Sequence, residues 1–137
     1  MTPDSAAAFW HRGPPAEPDA LAALTAACPG LPRAYLDFLR EEDGSEGDLD
    51  VQPYWVQFWP AAEVAEHNEG YEVETWIPGF LGFASSGGGE LLAFDTRTQP
   101  WRVCTIPFIP MREEHAIEIA PDFTSFTAHL GVQADPD

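Results

Sequence analysis

The sequence predicts an α+β domain: a mainly antiparallel sheet of about four to six strands, with helices at its N- and C-terminal ends and one between strands. Three observations carry that prediction. Two proline-opened stretches with helical spacing of apolar residues lie within residues 18–44. Apolar runs rich in aromatic and β-branched residues, separated by turn residues, fill the middle of the chain. A further helical stretch begins near Asp122. Hairpin-linked strands flanked by terminal helices give antiparallel neighbours in the sheet.

Taken in order, residues 1–16 mix Ala, Pro and polar residues without a period and read as an N-terminal arm. The first helix is expected from Pro18 to Cys28, with Asp19 helping its start, Leu21 and Leu24 on one face, and Pro29-Gly30 as the stop. Pro32 opens the second, since a first helical position has no use for the missing N–H. Tyr35, Leu36, Phe38 and Leu39 give it a core-facing side, and Gly44 is its expected end. Residues 49–59 suit one or two strands, broken or edged at Pro53. A third helix should run from Pro60 to Asn68. Phe80–Ala84 and Glu90–Phe94 then form a hairpin around Gly87, Gly88 and Gly89. A strand at Trp101–Pro107 follows, and the last helix carries Phe123, Phe126 and Leu130 before Gly131. These elements make one domain over residues 17–131, with an acidic tail at 132–137.

The glycine-rich turn also invites comparison with a phosphate-binding loop. Such a loop needs Lys after its last Gly, followed by Ser or Thr. Here Glu90 follows Gly89, and the chain has no Lys at all; its basic residues are Arg12, Arg33, Arg40, Arg97, Arg102 and Arg112. No G-x-G-x-x-G is present, so a hairpin is the reading that fits. The formal net charge of −17 argues against non-specific nucleic-acid binding, which depends on neutralising phosphates, and against anionic membrane surfaces. It favours a basic partner. No apolar run is long enough to span a bilayer, and no basic, apolar leader opens the sequence. With Cys28 and Cys104 widely spaced, a cytoplasmic protein with free thiols is expected.

No catalytic residue, metal ligand set or cofactor motif emerges. His11, His67, His115 and His129 share no ligand spacing with one another or with the cysteines. The acids of residues 41–50 fit no EF-hand register. Ser85 and Ser86 lack a nucleophile-elbow context, and Cys104 sits among Val103, Thr105 and Ile106 like a packed thiol.

Two acidic segments are the candidates for binding. Glu41, Glu42, Asp43, Glu46, Asp48 and Asp50 crowd the end of the second helix, where the first three meet the negative end of its dipole, an unfavourable placement. The segment reads either as an electronegative contact surface for a basic partner or as a solvated loop. Glu63, Glu66, Glu69 and Glu72 recur every third residue and slant around the third helix, beside Trp55, Trp59 and Trp76. Aromatics next to acids make interface hot spots, although most tryptophans pack in cores. The candidate protein-binding residues are therefore Glu41, Glu42, Asp43, Glu46, Asp48, Asp50, Glu63, Glu66, Trp55 and Trp59.

Four segments, in order, resemble one known family. Leu31-Pro32-Arg33-Ala34-Tyr35-Leu36-Asp37-Phe38-Leu39 is similar to the "LPxxYxxFL" opening of the SUKH superfamily. Glu63 to Tyr71, with Asn68 and Tyr71, resembles its "NxxY" element. Pro78-Gly79-Phe80 through Asp95 resembles its glycine-rich hairpin, and Ile119-Ala120-Pro121-Asp122-Phe123 with Phe126 and Leu130 its ending; Thr127 stands where an apolar residue is commoner. The resemblance covers about residues 18–131. It implies an α+β fold, no shared catalytic site, and a role in binding another protein. For bacterial immunity members that partner is a toxin domain, a nuclease among the candidates; for the cell-wall-assembly regulators the role is that of an intracellular adaptor. An enzyme is a distant third class.

Overall fold

The computed structural model of the chain describes residues 8–134. It is an α+β fold whose seven strands form one antiparallel sheet in the order of the chain, each strand pairing with the next. The strands are β1 (Trp10–His11), β2 (Glu46–Asp48), β3 (Trp55–Phe58), β4 (Phe80–Ser85), β5 (Glu90–Asp95), β6 (Arg102–Pro107) and β7 (Ile117–Ala120). The helices are α1 (Pro18–Ala27), α2 (Arg33–Glu41), α3 (Val64–Gly70), α4 (Val73–Trp76) and α5 (Phe123–Thr127).

Seven strands exceed the expected four to six. The additions are short strands held by backbone pairing. β1 lies in the stretch read as an arm, β2 in the acidic segment and β7 between the last expected strand and the last helix; β1 and β2 pair at the sheet's edge, Trp10 opposite Gly47 and Gly47 opposite Val56. Close approach explains Gly47, where a Cβ would lie 2.4 Å from the Phe9 carbonyl oxygen. Residues 1–7 of the expected arm and 135–137 of the expected tail fall outside the described residues.

The long elements follow the sequence closely. Pro18 begins α1, and Pro32 caps α2 in place of being its first residue. Gly44 takes a left-handed φ of 72° just beyond α2. Pro60 precedes a short 3-10 turn (Ala61–Glu63) that leads into α3. Asp122 caps α5 by accepting from the Ser125 N–H at 2.7 Å.

The central strands are buried on both faces. Opposed residues in adjacent strands share a face, so Phe58, Ala84, Leu92 and Thr105 form one row across the sheet. On that side Tyr35 of α2 packs edge-on against Phe83, Phe94 and Phe123, and Phe58 packs against Phe38 and Phe126. The Tyr35 hydroxyl is buried without a hydrogen-bond partner among the described residues. An orphaned hydroxyl costs about 1–3 kcal/mol. The three aromatic contacts, at about 0.5–1.5 kcal/mol each beyond area burial, offset that cost.

The other face carries Leu91, Ala93, Cys104 and Ile106, all fully buried. Gly82 admits the Trp59 indole to this face: a Cβ there would meet Leu91 Cδ1 at 2.7 Å and the indole at 3.1 Å. Where β4 lacks a strand partner, Asn68 takes the place of one. Its side chain accepts from the Gly82 N–H and donates to the Gly82 carbonyl, each at 2.8 Å, and also donates to the Val64 carbonyl of its own helix. The "NxxY" asparagine thus locks α3 to the sheet.

Candidate functional site: an aromatic groove on an acidic segment

Trp59 leaves β3, turns beneath α3 and is only 6% exposed. His67 packs against it at a tilt and Tyr71 lies parallel to it, with ring centroids 4.7 and 6.0 Å away. Tyr71 in turn stacks on Phe108 at 4.6 Å. This column ends in a groove of about 450 Å³ lined by Tyr71, Trp76, residues 108–111 and Arg112. Tyr71 is 44% exposed, Trp76 60% and Ile109 91%. Exposed large apolar side chains that converge on one groove mark an interaction surface, unlike singly scattered ones.

One wall of the groove, residues 108–112, is fixed by charge. Asp95 is buried and binds two arginines: Arg97 Nε donates to Oδ1 and Arg102 Nε to Oδ2, each at 2.9 Å. These bonds, Arg97 first, hold the Asp95 carboxyl down at about 2 despite burial. Arg97 then reaches Glu113 at 2.6 Å and Arg102 reaches Glu118 at 3.4 Å, tying the segment after β6 to the β5–β6 end of the sheet.

The acids of α3, α4 and their connection surround the aromatic residues in sequence. Glu63 lies 3.1 Å from His67 Nε2. Glu66, Glu69, Glu72 and Glu74 are exposed. No described residue donates a hydrogen bond to their carboxylates or forms an ion pair with them.

The acids of residues 41–50 are placed differently. Glu42 Oε1 accepts from Trp10 Nε1 at 2.9 Å and from Ser45 Oγ at 2.8 Å. Ser45, fully buried, accepts in turn from the Gly13 N–H. Asp43 Oδ1 accepts from the Ala61 N–H and so caps the turn before α3. Burial pushes the Asp43 carboxyl above the ordinary range; the Ala61 bond opposes this and Glu63 adds to it. Glu46 accepts from Gln57 Nε2, Asp48 from the Phe9 N–H, and Asp50 lies 2.7 Å from His129 Nδ1. Glu41 is exposed, 3.5 Å from Arg12. This cluster ties the β1 segment, the β2–β3 edge and the end of α5 together, which accounts for acids at an unfavourable helix end.

Of the two tryptophans expected at a binding surface, Trp59 underlies the groove and Trp55 stacks on Phe9 at 5.5 Å, at the β2–β3 edge. Trp76, Tyr71 and Ile109 are the large exposed groups beside α3. Residues 108–111, Phe-Ile-Pro-Met, form an apolar run after a strand that has no strand period of its own. That run is the signal in the sequence for an exposed wall.

Neither cysteine lines the groove. Burial pushes the Cys104 thiol up to about 11, away from the thiolate a nucleophile needs. Cys28 is raised for the same reason, and both are free thiols. No group of three or more His, Cys, Asp or Glu able to hold a metal ion occurs among the described residues, and no described helix is long and apolar enough to cross a membrane.

Comparison with known proteins returns one family: the sequence model of the SMI1 / KNR4 family (SUKH-1) matches residues 15–129. No curated protein matches the chain.

Proposed function

The chain belongs to the SMI1 / KNR4 family (SUKH-1), and from that premise we propose that it is a non-catalytic protein-binding domain, an immunity protein that neutralises a cognate toxin domain inside the cell. One observation carries the reading: a groove walled by exposed Tyr71, Trp76 and Ile109 is built in part by the same segment, residues 63–76, that carries Glu66, Glu69, Glu72 and Glu74, exposed and without an ion-pair or hydrogen-bond partner among the described residues. An apolar anchor site beside uncompensated negative charge suits a partner with a basic rim and protruding apolar groups. A nuclease domain fits that description, because its cleft must be basic to hold phosphates.

On this reading Glu63 and Glu66 lie at the contact, with Trp59 as its floor. Glu41, Glu42, Asp43, Glu46, Asp48 and Asp50, with Trp55, hold the scaffold and add to the long-range field that steers association.

The test is co-expression with the polypeptide encoded by the adjacent gene. We expect that polypeptide to co-purify and its toxic activity to fall when this protein is in excess. Capture of a partner whose activity is unaffected would assign the regulatory-adaptor role instead. A neighbouring toxin domain that stays active and unbound would overturn the proposal.

A further inference from the structure

The Phe58–Leu92–Thr105 row continues to Ile117 of β7, opposite Thr105. Here the sheet face opens into a second cavity, of about 550 Å³, that shares no lining residue with the aromatic groove. Thr105, Glu90, Pro107 and Ile117 form its floor, because Glu90 pairs with Pro107 and Thr105 lies two residues away on the same strand face. Gln52, Tyr54 and Glu114 stand around it. Tyr54 is held at a left-handed φ of 72°, and its side chain is exposed.

Thr105 is the unusual member. It is 4% exposed, and its Oγ1 is buried with no hydrogen-bond partner among the described residues. A hydroxyl of a cavity-lining residue that no described residue satisfies is a group available to a ligand. Glu90 has one oxygen engaged, accepting from Ser86 Oγ at 2.7 Å. Its second carboxylate oxygen has no partner among the described residues. Among the described residues Glu114 meets only Arg112, at 3.9 Å and with both side chains largely exposed, a weak competitor.

We propose that this cavity binds a guanidinium group carried on an apolar stem, the chemistry of an arginine side chain. A guanidinium offers five N–H donors and no acceptor. The site answers with acceptors: the Glu90 and Glu114 carboxylates, the Thr105 hydroxyl oxygen and the Gln52 amide oxygen. The Tyr54 ring supplies an aromatic face for a planar cation, and Ile117 with Pro107 contacts the stem. Two carboxylates, Glu90 and Glu114, against one imidazole, His115, disfavour an anionic ligand.

The site is tested by NMR titration of the whole chain with three probes: N-acetyl-arginine amide, agmatine and N-acetyl-citrulline amide, which keeps the shape of arginine without its charge. We expect saturable shifts at Tyr54, Thr105 and Ile117 with both cations, and binding of the citrulline compound at least about tenfold weaker. Tighter binding of the capped arginine points to a partner's side chain as the source, and tighter binding of agmatine to a free guanidine; either supports the site. Glu90→Gln should weaken capped arginine about tenfold, the loss of one charge-assisted hydrogen bond. Thr105→Val, which removes the orphaned hydroxyl at constant shape, should weaken it too while leaving the melting temperature unchanged or raised. No saturable shift, equal binding of citrulline, or unchanged affinity in both variants would overturn the assignment. No protein partner enters the experiment, so its failure leaves the proposed immunity role untouched.

Discussion

Residues 41–50 and residues 63–74 are both crowded with carboxylates, yet they differ in what those carboxylates touch. In the first segment each acid meets an indole N–H, a backbone N–H, an amide, an imidazole or a guanidinium. In the second, among the described residues, Glu63 alone has such a partner. Charge density along the sequence therefore does not show which acids are already engaged within the fold. An acid already used to join β1 to the sheet has little left to offer a partner, whereas an exposed, unpaired acid beside Tyr71 and Trp76 retains its whole interaction.

Removing one acid from each segment separates the two roles. Glu42→Ala leaves the Trp10 indole and the buried Ser45 hydroxyl without their acceptor. We expect a loss of about 2–3 kcal/mol in urea denaturation, since hydrogen bonds to charged groups contribute about 1.5–3 kcal/mol. Glu66→Ala, at an exposed position, should stay within about 0.5 kcal/mol of the unaltered protein. Equal costs at the two sites would remove the distinction.

A smaller effect concerns Asp43, a scaffold acid raised by burial. With its folded value above the unfolded one, Asp43 contributes stability that is fully present below the ordinary carboxylate range and lost as pH rises through the raised value. Near neutral pH its charge is therefore a cost. Asp43→Asn keeps an oxygen for the Ala61 N–H and removes that charge. Its melting temperature should exceed that of the unaltered protein at pH 7, with the difference closing on acidification. A variant less stable at pH 7 would show that the charged hydrogen bond outweighs desolvation.

Much of this arrangement is legible in the sequence where side chains carry the information. Periodicity and proline punctuation mark α1, α2 and the start of α3; glycines mark the β4–β5 turn; Asp122 marks α5. What is not legible depends on backbone pairing or on distant neighbours. β1 (Trp-His) is two residues long and β2 (Glu-Gly-Asp) is short, polar and glycine-containing, and both exist because they hydrogen-bond at an edge. α4 is a single turn after Glu72, which takes a left-handed φ of 57° without being glycine. Nothing local distinguishes Trp59, buried against Gly82, from Trp76, exposed at the groove. The difference between the two acidic segments is hidden for the same reason: partners such as Trp10, Ala61 and His129 lie far along the chain from the acids they satisfy.

The central claim is that the contact surface lies on α3, α4 and residues 108–112, and not on the acidic segment after α2. Two charge-matched variants test it directly: Glu66→Lys with Glu69→Lys, and Glu41→Lys with Glu46→Lys. Both change net charge equally, so a difference between them reports location. The measurement is the association rate with the adjacent-gene polypeptide at low and high ionic strength. We predict that the first pair slows association about tenfold or more at low salt and flattens the salt dependence, with the second pair within about twofold of the unaltered protein. Equal slowing by both, or slowing by the second alone, would contradict the account.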